Sequence, residues 1–179
     1  MPAPRRPLPP LNSADLERYA LRYVERYATT RAKLAAYLSR KLRERGWGEE
    51  KSPDVEGLVR RFAELGYVND RLYAESKAGA MARRGLGARR VRQALRFDGI
   101  EEGDAAALEP SIEEAEQASA LAFARRKRIG PYARELVEDR ALLEKQMAAM
   151  IRAGHAPSLA RAILRMTPGD DPEDTVFGG

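Results

Sequence analysis

Three helix ends in this sequence are written alike: Leu42, Leu95 and Met150 each stand four residues before a glycine, Gly46, Gly99 and Gly154. Glycine just past an apolar stripe is a common way to close a helix, because it enters the left-handed region without steric penalty. The three glycines lie 53 and 55 residues apart, each after a longer helical stripe and before a shorter one. Spacing this even predicts tandem three-helix units. A short helix with a narrow apolar stripe cannot fold alone, so each unit must lean on its neighbour and the body is expected to be elongated.

The rest of the chain follows the same period. Leu16, Tyr19, Ala20, Tyr23, Val24 and Tyr27 recur at three- and four-residue steps, with Ser13 as the expected N-cap. Leu34, Tyr37, Leu38 and Leu42 form a second stripe ending at Gly46. Val55, Leu58, Val59 and Phe62 form a third, opened by Ser52 and Pro53 and closed at Gly66. A helix capped by Asn69 or Asp70 is expected to end near Gly85, and the stripe Ala88, Val91, Leu95 to end at Gly99. A short helix over residues 105–108 should break at Pro110, with Ser111 and Glu114 forming a capping box for the next. Gly130 and Pro131 end that helix, Leu143 to Ile151 form another, and Pro157 opens the last. No period-two alternation bounded by turns occurs, so the predicted fold class is all-α. The expected organisation is a Pro-rich disordered tail over 1–12, three-helix repeats over 13–66, 67–110 and 111–166, and an acidic disordered tail over 167–179.

Composition narrows the function. With no cysteine and one histidine, His155, the chain lacks thiolates and nearly all imidazole, so no metal site or cofactor is expected. His155, beside Gly154, reads as a turn residue. No serine sits in a Gly-x-Ser-x-Gly elbow, and Gly85-Leu-Gly87 lacks the lysine of a phosphate loop. No active site is expected, and the chain is not read as an enzyme. The N-terminal ten residues hold five prolines and a paired Arg5 and Arg6 without the apolar run of a secretory signal. No stretch approaches the ~20 apolar residues of a membrane span, so a cytoplasmic location is expected.

Charge is unevenly distributed. The net charge of +5 divides into +5 for residues 1–50, +5 for 51–100 and −5 for 101–179. Residues 77–96 contain Lys77, Arg83, Arg84, Arg89, Arg90, Arg92 and Arg96 and no acid. At roughly 100° per residue, Ala88, Val91 and Leu95 share one helix face while Arg89, Arg92 and Arg96 share the other. Arginine's planar fork pairs with phosphate or carboxylate. Cations are disfavoured at a helix N-terminus, where Arg89 and Arg90 lie, so the run is not explained by the helix dipole and is the leading binding candidate. Arg40, Lys41, Arg43 and Arg45, and Arg125, Arg126, Lys127 and Arg128, are secondary candidates, since dipole-favoured charge near helix C-termini accounts for them. Tyr19, Tyr23 and Tyr27 form one ridge, read as core, and Trp47 as a packing residue.

Residues 20–46, with the segment Tyr27-Ala-Thr-Thr-Arg-Ala-Lys-Leu34, resemble the first unit of the RecX family of RecA regulators. Phe62-Ala-Glu-Leu-Gly-Tyr-Val-Asn-Asp-Arg-Leu-Tyr-Ala-Glu75, then Arg84-Gly-Leu-Gly87 and Val91-x3-Leu95-x3-Gly99-Ile100, are similar to that family's central unit. The first unit departs from the family pattern at Tyr27, Thr30 and Lys33, and the last shows His155 where an aromatic is usual. The resemblance implies tandem three-helix repeats in a curved, elongated body. It also implies a monomer that binds in the groove of the RecA filament, meeting single-stranded DNA through the filament, and inhibits RecA's recombinase and coprotease activities. Two other readings of the residues remain open: a stand-alone DNA-binding three-helix module, and a helical scaffold for another protein with the arginines as solubilising charge.

Overall fold

The computed structural model describes residues 9–172. Within them the chain is α-helical without β-strands, so the all-α expectation holds. The helices are α1 (Ser13–Arg26), α2 (Arg31–Arg45), α3 (Val55–Glu64), α4 (Asp70–Arg83), α5 (Ala88–Phe97), α6 (Glu102–Ala107), α7 (Glu109–Lys127), α8 (Arg140–Ala153) and α9 (Pro157–Leu164), with a 3₁₀ turn at Gly130–Tyr132.

Packing divides the chain into two compact units. The first holds the described residues up to Tyr73 together with Asp98–Ile100. The second holds Ala74–Phe97 and the described residues from Glu101 onward. The first turn of α4 therefore belongs with α1–α3, and the rest of α4 with α5–α9.

In the first unit Leu16 and Ala20 of α1, Leu34 and Leu38 of α2 and Val59 and Phe62 of α3 close one core. Leu11 joins this unit, wholly buried, by donating its N–H to the Gly46 carbonyl and accepting from Gly48 N–H, each at 2.9 Å. Residues 9–12 are thus folded, against the expected tail; residues 1–8 lie outside the described residues. A polar network completes the unit. Asp98, 2% exposed, takes the Lys33 ammonium at 2.8 Å and the Tyr73 hydroxyl at 2.8 Å, and its carbonyl accepts from Thr30 Oγ1 at 2.7 Å. Asp70, also buried, accepts from Arg31 N–H at 2.8 Å and Arg31 Nε at 3.1 Å. These bonds give the buried carboxylate oxygens the partners that burial takes from them in water.

In the second unit Phe123 and Ala124 of α7, Met150 and Ala153 of α8 and Ala160 and Ile163 of α9 form the core. Residues 167–170 are folded too, since Thr167 and Asp170 bond each other and Gly169 N–H reaches the Pro131 carbonyl at 3.0 Å. Residues 173–179 of the expected acidic tail lie outside the described residues.

Three helix starts differ from expectation. Asn12, not Ser13, caps α1, in a capping box with Asp15. Ser13 instead gives its N–H and hydroxyl to Glu49, at 2.7 and 2.6 Å. Asp54 rather than Ser52 caps α3, accepting from Gly57 N–H at 2.8 Å. Pro110 does not break the chain but sits in the first turn of α7, where its missing N–H is not needed, so Ser111 caps nothing.

Candidate functional site: an arginine-lined junction of α5 and α8

The arginines at the start of α5 are explained by what they face. Gly87 N–H donates to the Ala153 carbonyl at 2.9 Å and Arg89 N–H to the Gly154 carbonyl at 3.2 Å. The donor-rich N-terminus of α5 therefore abuts the acceptor-rich C-terminus of α8. The Arg89 guanidinium donates to the Ile151 carbonyl, and Arg90 Nε to the Arg152 carbonyl at 3.1 Å. Cations unfavourable for the dipole of α5 are thus favourable for that of α8. The approach is so close that a Cβ on Gly87 would strike the Gly154 carbonyl group, and one on Gly154 would lie 2.7 Å from the Arg90 amide nitrogen. Gly154 also holds φ at +101°, where glycine is favoured.

Arg89, Arg90, Gln93, Arg96 and Arg152 line an open concavity of about 630 Å³. Arg89 and Arg90 spend only some of their donors on α8, since a guanidinium carries five. Arg96 and Arg152 are exposed. Phe97, next in the chain, is 89% exposed. Neither Arg152 nor Phe97 was among the sequence candidates. Phe97 was legible, because two residues past Leu95 a helix has turned some 200° from its core face. Arg152 was not, because only the folded chain brings it beside α5.

The other candidates separate. Arg92 leaves the outward set, since Glu109 holds its guanidinium from both carboxylate oxygens, with Nε–O distances of 2.8 and 3.1 Å. That bond keeps the Glu109 carboxyl below its ordinary range against the opposing effect of burial. Arg83 and Arg84 are exposed on the last turn of α4 and just beyond it, and Lys77 is half-buried on α4. Arg126 donates to the Arg84 carbonyl and lies 5.6 Å from the Phe123 ring centre, Arg125 lies 5.0 Å from that of Tyr132, and Lys127 is exposed. Arg128 ends α7 in the left-handed region at φ +54°. In the first unit Arg45 is spent on Tyr19 Oη at 3.2 Å and the Pro9 carbonyl at 2.6 Å. Lys41 pairs with Glu44 at 2.7 Å, while Arg40 and Arg43 are exposed.

His155 is a turn residue, but a buried one. Its Nε2 lies 3.1 Å from the Gly85 carbonyl and its ring meets Phe123 edge-on at 5.5 Å. Burial pushes its pKa below the ordinary histidine value, against the opposing pull of Gly85 and Glu116. Among the described residues no group of three or more His, Asp or Glu is placed to hold a metal, and no helix is long and apolar enough to cross a membrane.

Fold and surface define an all-helical protein of three-helix architecture carrying a basic concavity. A family model described as the second three-helix domain of RecX matches residues 69–108, the segment that contains α4 and α5. The regulatory protein RecX of Myxococcus xanthus strain DK1622 is 30% identical over 175 residues, 92% of this chain and 91% of that relative. The chain belongs to the RecX family of regulatory proteins. The regulatory protein RecX of Deinococcus radiodurans is 39% identical over 100 residues, 55% of this chain and 44% of its own length. The crystal structure of RecX from Lactobacillus salivarius superposes with a TM-score of 0.65 at 20% identity, covering 85% of this chain and 94% of that one. A second crystal structure of a regulatory protein RecX gives 0.59 at 25% identity, covering 84% and 72%.

Proposed function

We propose that the chain binds the RecA filament on single-stranded DNA and thereby inhibits RecA's recombinase and coprotease activities, restraining recombination and the SOS response. Membership of a family named for regulation supports the general role. One observation carries the site: the concavity at the α5–α8 junction, lined by Arg89, Arg90, Arg96 and Arg152, with the exposed Phe97 following Arg96 in the chain. Guanidinium forks suit phosphates and carboxylates, both offered by a nucleoprotein filament, and an exposed aromatic supplies the apolar anchor that interfaces favour. The chain acts as a monomer and reaches DNA at this site through the filament.

Co-sedimentation of the full chain with RecA tests this, run with and without single-stranded DNA and nucleotide. The expected result is retention that rises sharply when the filament assembles and falls as salt is raised. Equal retention on naked DNA and on filament would favour the stand-alone DNA module. Equal retention on RecA without DNA or nucleotide would favour a scaffold for free RecA.

A further inference from the structure

The first unit carries a cleft of its own. Four tyrosines (Tyr19 and Tyr23 of α1, Tyr27 just past its end, Tyr37 of α2) and three arginines (Arg22, Arg26, Arg40) line an open hollow of about 480 Å³. Tyr19, Tyr23 and Tyr37 pack partly buried against the core, and Tyr27, which the spacing also assigned to the core, stands half out of it. Tyr23 and Tyr37 stack with ring centres 4.2 Å apart and planes 17° off parallel. Tyr27 tilts against Tyr23 at 5.2 Å and is 50% exposed, leaving much of its ring in water. Arg26 lies 5.8 Å from the Tyr27 ring centre and Arg40 5.5 Å from that of Tyr37.

The charge here is largely unspent. Arg22 and Arg26 make no ion pair among the described residues. Arg40 has only a 3.9 Å approach to Glu44, whose carboxylate is held by Lys41 at 2.7 Å. On α1 Tyr19 and Tyr23, like Arg22 and Arg26, stand four residues apart, about 6 Å along the axis. Tyr27, the extended residue that closes the helix, carries the ring row on at 5.2 Å from Tyr23. One row is flat and aromatic, the next cationic. A single strand needs this pairing, with bases against π faces and phosphates against cations. A duplex keeps its bases stacked inside and has none to lay on Tyr27. An acidic peptide would use the arginines and leave the rings unmatched.

We propose that the α1–α2 cleft is a binding site for single-stranded nucleic acid, in which the tyrosines stack on bases and Arg22, Arg26 and Arg40 meet the flanking phosphates. The site contacts the strand directly and does not depend on RecA. Its readout is the anisotropy of a labelled oligothymidylate with the full chain, titrated over a range of salt. Tyr27→Leu should weaken binding by roughly 5- to 150-fold, the value of one lost stack, without changing the salt slope. Tyr27→Trp should retain it. Arg22→Gln with Arg26→Gln should flatten the slope of log affinity against log salt by about 1.4, or about 0.7 per phosphate. All these side chains are partly or fully exposed, and unchanged melting curves verify folding. Ultraviolet crosslinking of the parent chain to the oligonucleotide should label the peptide that contains Tyr23 and Tyr27. The proposal is overturned if Tyr27→Leu and the double arginine variant both bind as the parent does. Crosslinks confined to other helices, or equal affinity for a duplex of the same length, would overturn it as well.

Discussion

His155 is the only histidine in the chain, which makes its titration readable in isolation. The Gly85 carbonyl can only accept, so Nε2 carries the proton and Nδ1 is bare; Nδ1 is buried with no hydrogen-bond partner. A second proton would charge a desolvated ring, which burial opposes despite Glu116 nearby. The folded pKa therefore lies below the unfolded one. Between the two the unfolded chain binds more protons, so stability is complete above about pH 6.5 and falls as pH drops through the folded value. Denaturant midpoints measured from about pH 7.5 to 5 should decline for the parent and stay flatter for His155→Leu, since carboxylates titrate mainly below that window. Parallel profiles would show that His155 is not the cause. Asp98 is buried against the Lys33 ammonium at 2.8 Å. Asp98→Asn leaves Lys33 without its anion and should cost about 2–3 kcal/mol in denaturant unfolding. That is less than the ~3–5 kcal/mol of breaking a wholly buried pair, because the Lys33 side chain is 36% exposed.

At the scale of elements, helix stops were legible in the sequence and helix starts less so. The Gly46, Gly99 and Gly154 stops rest on a backbone requirement that the residue itself meets. Starts are contests between neighbours of similar capping power. Asn12 and Ser13 both cap well, and Glu49, distant in sequence, decides the matter by taking Ser13. Arg89 and Arg90 also show where local rules end. They oppose the dipole of their own helix, and their acceptors lie on α8, some sixty residues away. The end-to-end seam of α5 and α8 makes a sharp prediction. Gly154→Ala must enter the left-handed region and press a Cβ on the Arg90 backbone, so it should cost at least about 2 kcal/mol in thermal or denaturant unfolding. Gly66→Ala meets a similar φ of +78° but open space, and should cost less. Equal losses at the two positions would mean that the close approach contributes nothing.

For the whole molecule, residue counts gave the sign of the surface charge but not its placement. Arg92, Arg45 and Lys41 all lie in the basic runs, yet each is tied to a partner within the protein. The concavity that remains owes its fourth arginine, Arg152, to a stretch of sequence that is acidic overall. Tyr19 and Tyr23 pack on the core as their spacing implies, but Tyr27 does not, because periodicity reports which residues share a face and not whether a neighbour covers all of it. The proposal is that this concavity meets the RecA filament. Its most direct measurement is inhibition of RecA strand exchange by Arg96→Glu combined with Arg152→Glu, alongside the parent chain. Both side chains are exposed, so the variant should unfold within about 0.5 kcal/mol per substitution of the parent. The concentration needed for half inhibition should rise at least roughly tenfold, as expected for the loss of charge-assisted contacts and their replacement by repulsion. A folded double variant that inhibits strand exchange at the parent's concentration would contradict the claim and remove the α5–α8 junction from the interface.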